Sequence, residues 1–203
     1  MSAKEPFRLR IAAHRAGGVD EIVRFLSDIN AAYEACYFFE VRLTRWQRRY
    51  IFEAPSHTWL EPNLSVNATE PSSILPEFQL ELTKVSINSP GFWEFLGALN
   101  PLQQMREYLK DRHERLKDKD YRNLSEKERL QLENELLRAQ VIKAKHDVLR
   151  DRVSLLREMD MSDQQIAELV WRSVGVPLAK LGRHQDAGLI GKPLIENEES
   201  EIG

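Results

Sequence analysis

Arg42, Arg45, Arg48 and Arg49, with Trp46 and Tyr50 among them, form the most concentrated basic patch in the chain. Guanidinium groups fork onto phosphate oxygens and aromatic rings stack on bases, so single-stranded nucleic acid or a nucleotide is the ligand such a patch suits. The plainer reading is the solvated face of a helix end, with Trp46 and Tyr50 turned into a core or an interface.

Other chemistry finds little in the sequence. His14, His57, His113, His146 and His184 are scattered, without the close spacing of a helix-borne metal site, although His113 and His146 would face each other across a helical hairpin. Asp111, Glu114, Asp118 and Asp120 sit among Arg112, Arg115, Lys117 and Lys119. Mixed signs at steps of three and four read as ion pairs along a helix, not as paired catalytic carboxylates. Gly17-Gly18 is too short for a dinucleotide or phosphate loop, and Gly-x-Ser-x-Gly is absent. Cys36 is the only cysteine, which excludes an intramolecular disulfide and a cysteine-built zinc site. Ile166 to Val170 with Gly175 to Leu178 has the rhythm of a helix-turn-helix, but the gap is about twice too long and no basic recognition helix follows. No catalytic residue, metal ligand or cofactor is assigned; an enzyme, for example a hydrolase that assembles its site between chains, is the third reading.

Strands and helices must hold whatever site exists. Phe7, Leu9, Ile11 and Ala13 alternate with Arg8, Arg10 and Ala12 as in a half-buried strand. From Asp20 the period becomes helical through Ile22, Phe25, Leu26, Ile29, Tyr33, Cys36 and Tyr37, to about Glu40. Val41 to Phe52 suits either short strands or more helix. Ser56 to Pro76 reads as a long surface connection. Phe78, Leu80 and Leu82 alternate, slip phase at Thr83-Lys84 and resume at Val85 and Ile87, a strand with a bulge. Two strands make a marginal sheet, so a third is expected from Val41 to Phe52 or from another chain. Ser89-Pro90 reads as the start of a short greasy helix carrying Phe92, Trp93, Phe95, Leu96 and Leu99, which plugs the sheet or buries in an interface.

Ser125 to Glu158 carries two apolar stripes at helical spacing, one through Leu130, Leu137, Val141, Ala144, Val148 and Leu155 and one through Leu132, Leu136, Leu149, Val153 and Leu156. A single helix of that length would be roughly 50 Å long. Two stripes need more cover than one partner helix gives. Ser125 to Glu128 and Ser162 to Gln165 are capping boxes.

The chain has 203 residues, 30% of them charged, and a net charge of −3, so no global field draws it to nucleic acid or membrane. No window approaches the roughly 18 to 20 apolar residues of a membrane span, and the opening residues lack the apolar core of a signal peptide. A reducing cytoplasm is the expected location.

Val85 to Gly97, with its Ser89-Pro90-Gly91 and Phe92-Trp93-Glu94-Phe95-Leu96, followed by Asn100-Pro101-Leu102, resembles a group of uncharacterised bacterial proteins. They share a strand, the Ser-Pro-Gly helix start and a charged helical hairpin, and the Gln185 to Ile190 ending is similar too. The resemblance spans about half of the chain. It implies an adaptor or immune setting beside bacterial conflict and defence proteins, and no catalytic residue.

The expected fold is α+β and mostly helical: a strand-helix-strand head over residues 1–99, a long antiparallel helical hairpin over 100–160, a short C-terminal helix and loop over 161–191, and a disordered acidic tail over 192–203. The expected function is a non-enzymatic oligomerisation or adaptor module, a coiled-coil-like homodimer that also engages another protein. Its interface would use Leu130, Leu137, Val141, Val148 and Leu155 with Phe92, Trp93 and Phe95. The alternative is a nucleic-acid or nucleotide sensor using Arg42, Arg45, Trp46, Arg48, Arg49 and Tyr50. No membrane partner is expected.

Overall fold

The computed structural model describes residues 7–53, 74–87, 90–143, 147–158 and 160–194; side chains at 45–53, 137, 138, 140–143 and 147–152 lie outside the description. The fold is mostly helical α+β.

Alternation makes β1 (Phe7–Ala13) two-faced, with Leu9 and Ile11 buried and Arg8 exposed. It pairs antiparallel with β3 (Gly91–Gly97), which sets Leu9 opposite Phe95 and Ile11 opposite Trp93. These four side chains make the floor on which α1 (Val19–Glu53) lies. The Phe25 ring of α1 stands edge-on to Trp93 at 5.2 Å and to Phe95 at 6.2 Å. Tyr33 pins the same helix to the sheet: its hydroxyl accepts from the Ala98 amide at 2.9 Å and donates to the Phe78 carbonyl at 2.6 Å.

β2 (Glu81–Ser86) pairs with the far side of β3, and β4 (Ile190–Leu194) with the far side of β1. The order is β2-β3-β1-β4 with antiparallel neighbours throughout. β1 and β2 therefore run the same way with β3 between them, the split β-α-β arrangement. A register shift between Leu82 and Lys84 realises the expected bulge.

Two expectations change, and the open choice over Val41 to Phe52 is settled as helix, within α1. Phe92, Trp93 and Phe95 lie on strand β3 and not on a helix, because a short apolar run has no period that separates a buried strand from a buried helix. The strands beyond β1 and β2 are β3 and β4 of the same chain, and β4 takes in Lys192 to Leu194 from the expected tail.

The remaining helices are inserted between β3 and β4. They are α2 (Leu99–Arg115), α3 (Lys119–Asn123), α4 (Glu126–Lys143), α5 (Asp147–Glu158), α6 (Asp163–Val170) and α7 (Val176–Asp186). Of the helix expected over Ser125 to Glu158, α4 and α5 are described, and residues 144–146 between them lie outside the description. The Ser125–Glu128 box is formed, with the Ser125 amide donating to Glu128 at 2.7 Å. So is the Ser162–Gln165 box that opens α6. Between α6 and α7 the chain widens into one π turn, Trp171–Gly175. Pro177, which lacks an N–H, sits just beyond it in the first turn of α7. Among the described residues no helix is long and apolar enough to cross a membrane.

Candidate functional site

Helical geometry through Glu53 sets positions 42, 45, 46, 49 and 50 on one side of α1 and position 48 on the other. The side chains of Arg45, Trp46, Arg48, Arg49 and Tyr50 lie outside the description. The Arg42 guanidinium rests over the Phe38 ring at 5.8 Å.

Of the expected seam, Leu130 and Leu155 are half-buried, and Leu137, Val141 and Val148 fall outside the described side chains. The second stripe is clearer. Val153 and Leu156 are buried in the chain's own core together with Ile166 and Val170 of α6. Intramolecular packing therefore covers these two positions of the second stripe, while Leu132 and Leu136 are half-buried. Trp93 and Phe95 are buried beneath α1 and are not available to a partner, while Phe92 lies on the opposite face of the sheet between the Arg10 guanidinium at 5.0 Å and the Lys84 ammonium at 5.3 Å.

The densest chemistry is one that sequence spacing missed. Arg112 looks solvent-bound in a charged stretch, yet it is 2% exposed, and its partner Glu133 of α4 is 5% exposed. Arg112 forms an ion pair with Glu133 and donates to the Asp186 carboxylate at 2.7 Å, the Gly182 carbonyl at 3.1 Å and the Tyr108 hydroxyl at 3.3 Å. Tyr108 and Tyr121 in turn donate to the two oxygens of Glu133, at 2.9 and 3.0 Å. Arg129 pairs with Asp186 at 2.9 Å. Two arginines and two carboxylates cancel, and four helices, α2, α3, α4 and α7, meet on them.

Burial pushes the Tyr108 phenol up to about 12, against the pull of Arg112. Burial also opposes the charge on Arg112, but Tyr108, Asp186 and Tyr121 outweigh it and hold the guanidinium above its ordinary value. Both groups are thereby locked in one protonation state near neutrality. That suits a clamp between helices better than a proton-transfer site, which needs a group poised near the working pH. Lys117 and Glu114, by contrast, form the surface pair that their spacing suggests, at 2.7 Å.

A second polar contact ties α7 to α1, where the His184 ring nitrogen lies 2.9 Å from Asp28 and the imidazole stands edge-on to Phe25 at 5.4 Å. Nearby, Arg15 pairs with Glu21 and donates to the Ala187 carbonyl at 3.1 Å. Burial lowers His113, helped by Lys117. His146 lies outside the described residues. Among the described residues no three His, Cys, Asp or Glu are grouped to hold a metal ion.

Glu94, on the open face of the sheet, is held by Arg10 and by the Thr83 hydroxyl at 2.9 Å. Burial alone would raise its carboxyl, but those two bonds carry it below the ordinary carboxylate value.

The remaining feature is the outer edge of the sheet. No residue of β2 is buried. Leu82 is 44% and Val85 40% exposed, and Leu75, Phe78 and Ile87 beside them are exposed too. Among the described residues no strand pairs with the outer side of β2. An edge of this kind offers free backbone amides and carbonyls together with apolar side chains, the combination a further strand needs. Comparison with protein-family models, with curated proteins and with solved structures gives no match for this chain.

Proposed function

We propose that this protein is a non-enzymatic assembly module of the bacterial cytoplasm that associates with copies of itself and serves as an adaptor. The β2 edge carries this reading, because a strand that has no outer partner among the described residues and whose large apolar side chains are partly exposed is a standing site for association. Leu82 and Val85 are already more than half covered and Ile87 is more exposed, so a partner would remove the remaining apolar surface from water at roughly 25 cal/mol per Å², to which surface ion pairs add roughly 0 to 1 kcal/mol each. The internal ion cluster fits the same reading, since it fastens helices instead of presenting a reactive group. Light scattering across a wide concentration range is the test. A mass above one chain is expected at high concentration, and a one-chain mass throughout would refute self-association.

One observation favours a second reading. Continuation of α1 through Phe52 brings positions 42, 45, 46, 49 and 50 to one side, as a nucleic-acid or nucleotide sensor would require. Binding that weakens as salt rises would identify it.

A further inference from the structure

The bulge gives β2 an inside-outside pattern that reads the same in both directions. Leu82 and Val85 stand opposite Phe95 and Trp93, on the side covered by α1. Glu81, Lys84 and Ser86 stand opposite Leu96, Glu94 and Phe92, on the open side. The inserted residue, Thr83, also turns to the open side, where its hydroxyl meets the Glu94 carboxylate. From Glu81 to Ser86 the order is therefore out, in, out, out, in, out.

We propose that the occupant of this edge is β2 of a second copy, paired antiparallel about a two-fold axis between Thr83 and Lys84, which rests on the self-association reading above. In this register Leu82 meets the partner's Val85 and Val85 meets the partner's Leu82, joining the apolar pairs on the helix side. Glu81 stands opposite the partner's Ser86 and diagonal to the partner's Lys84, so opposite charges meet twice on the open side. A slip of one residue would set Lys84 against the partner's Lys84 and apolar against polar positions. A slip of two would match Leu82 with the partner's Thr83. Only the symmetric register satisfies both faces and the charges.

Lysines and bulges often blunt sheet edges. Here the Lys84 ammonium is drawn over the Phe92 ring, and the bulge is what makes the strand self-complementary.

Charge exchange tests the register. Glu81→Lys alone and Lys84→Glu alone should each weaken the dimer by about tenfold or more, through like charges at both diagonals. An equimolar mixture of the two variants should recover a two-chain species, since each supplies the sign the other lacks. Circular dichroism checks that both fold. Should either unfold, single cysteines decide: oxidising a mixture of Leu82→Cys and Val85→Cys chains should cross-link them to each other, while Leu82→Cys alone should not cross-link. A wild-type dimer indifferent to the charge changes and without the mixed cross-link would overturn this interface and leave self-association standing. A wild-type protein of one-chain mass would overturn both.

Discussion

Arg112 lies where a side chain on Gly182 would have to be. Its Nε donates to the Gly182 carbonyl at 3.1 Å, and a Cβ built on Gly182 would come within 2.6 Å of that same nitrogen and of the Tyr108 hydroxyl. The bare α7 backbone is thus one wall of the ion cluster. Gly182→Ala should cost about 1 to 3 kcal/mol, as overpacking does, and lower the thermal midpoint; an unchanged midpoint would show that the cluster yields freely.

Removing one member of the buried pair should cost more than removing both. Arg112→Met leaves Glu133 buried without its cation, a loss of about 3 to 5 kcal/mol. Adding Glu133→Leu should restore part of that loss, because no uncompensated charge is left inside. Urea midpoints of the two single variants and the double variant measure the coupling, and simple additivity would contradict the shared cluster.

Glu94 sets an acid limb on stability. Its carboxyl lies below the ordinary value when folded, so the unfolded chain binds the proton more readily. The stabilisation is then complete above the unfolded value of about 4.3 and is lost as pH falls toward the folded value. Glu94→Gln should flatten thermal midpoint against pH in that acid range and lower it near neutrality. A parallel, unflattened curve would remove Glu94 as the source.

Arg45→Glu with Arg49→Glu, both on the same side of α1, separates the two functional readings. If association alone is the function, elution from heparin should shift little and solution mass should not change. A collapse of salt-dependent retention on single-stranded nucleic acid would favour the sensor.

What the sequence made legible followed from local signals. The β1 alternation, the bulge at Thr83-Lys84 and both capping boxes are patterns within a few residues, and each lies where its spacing placed it. Non-local choices were hidden. Gly91 to Gly97 becomes a strand because β1 and β2 flank it; β2 directly precedes it, but β1 lies far back in the chain, and the apolar run itself carries no period that reveals the pairing. Arg112 sits in a stretch dominated by charge, and only its meeting with Glu133, Asp186 and Tyr121 from three other helices shows that it is buried. A solitary glycine in the helix bearing Gly182 was the available hint of a close approach. The β2 edge was invisible for the opposite reason, since alternation says that one face is apolar but not whether anything covers it.

β1 and β4 come from opposite ends of the described chain, yet they are hydrogen-bonded neighbours. On the ribosome, the first strand is therefore made long before its last partner exists. Until then one margin of the nascent sheet is bare, and all six inserted helices must be synthesised before it can close. Pairing of such sequence separation is slow to form, and partly made chains with open strand margins are prone to clump. The protein should thus depend on chaperones during synthesis more than its size suggests, with β4 acting as a latch that engages only after the six inserted helices have been made.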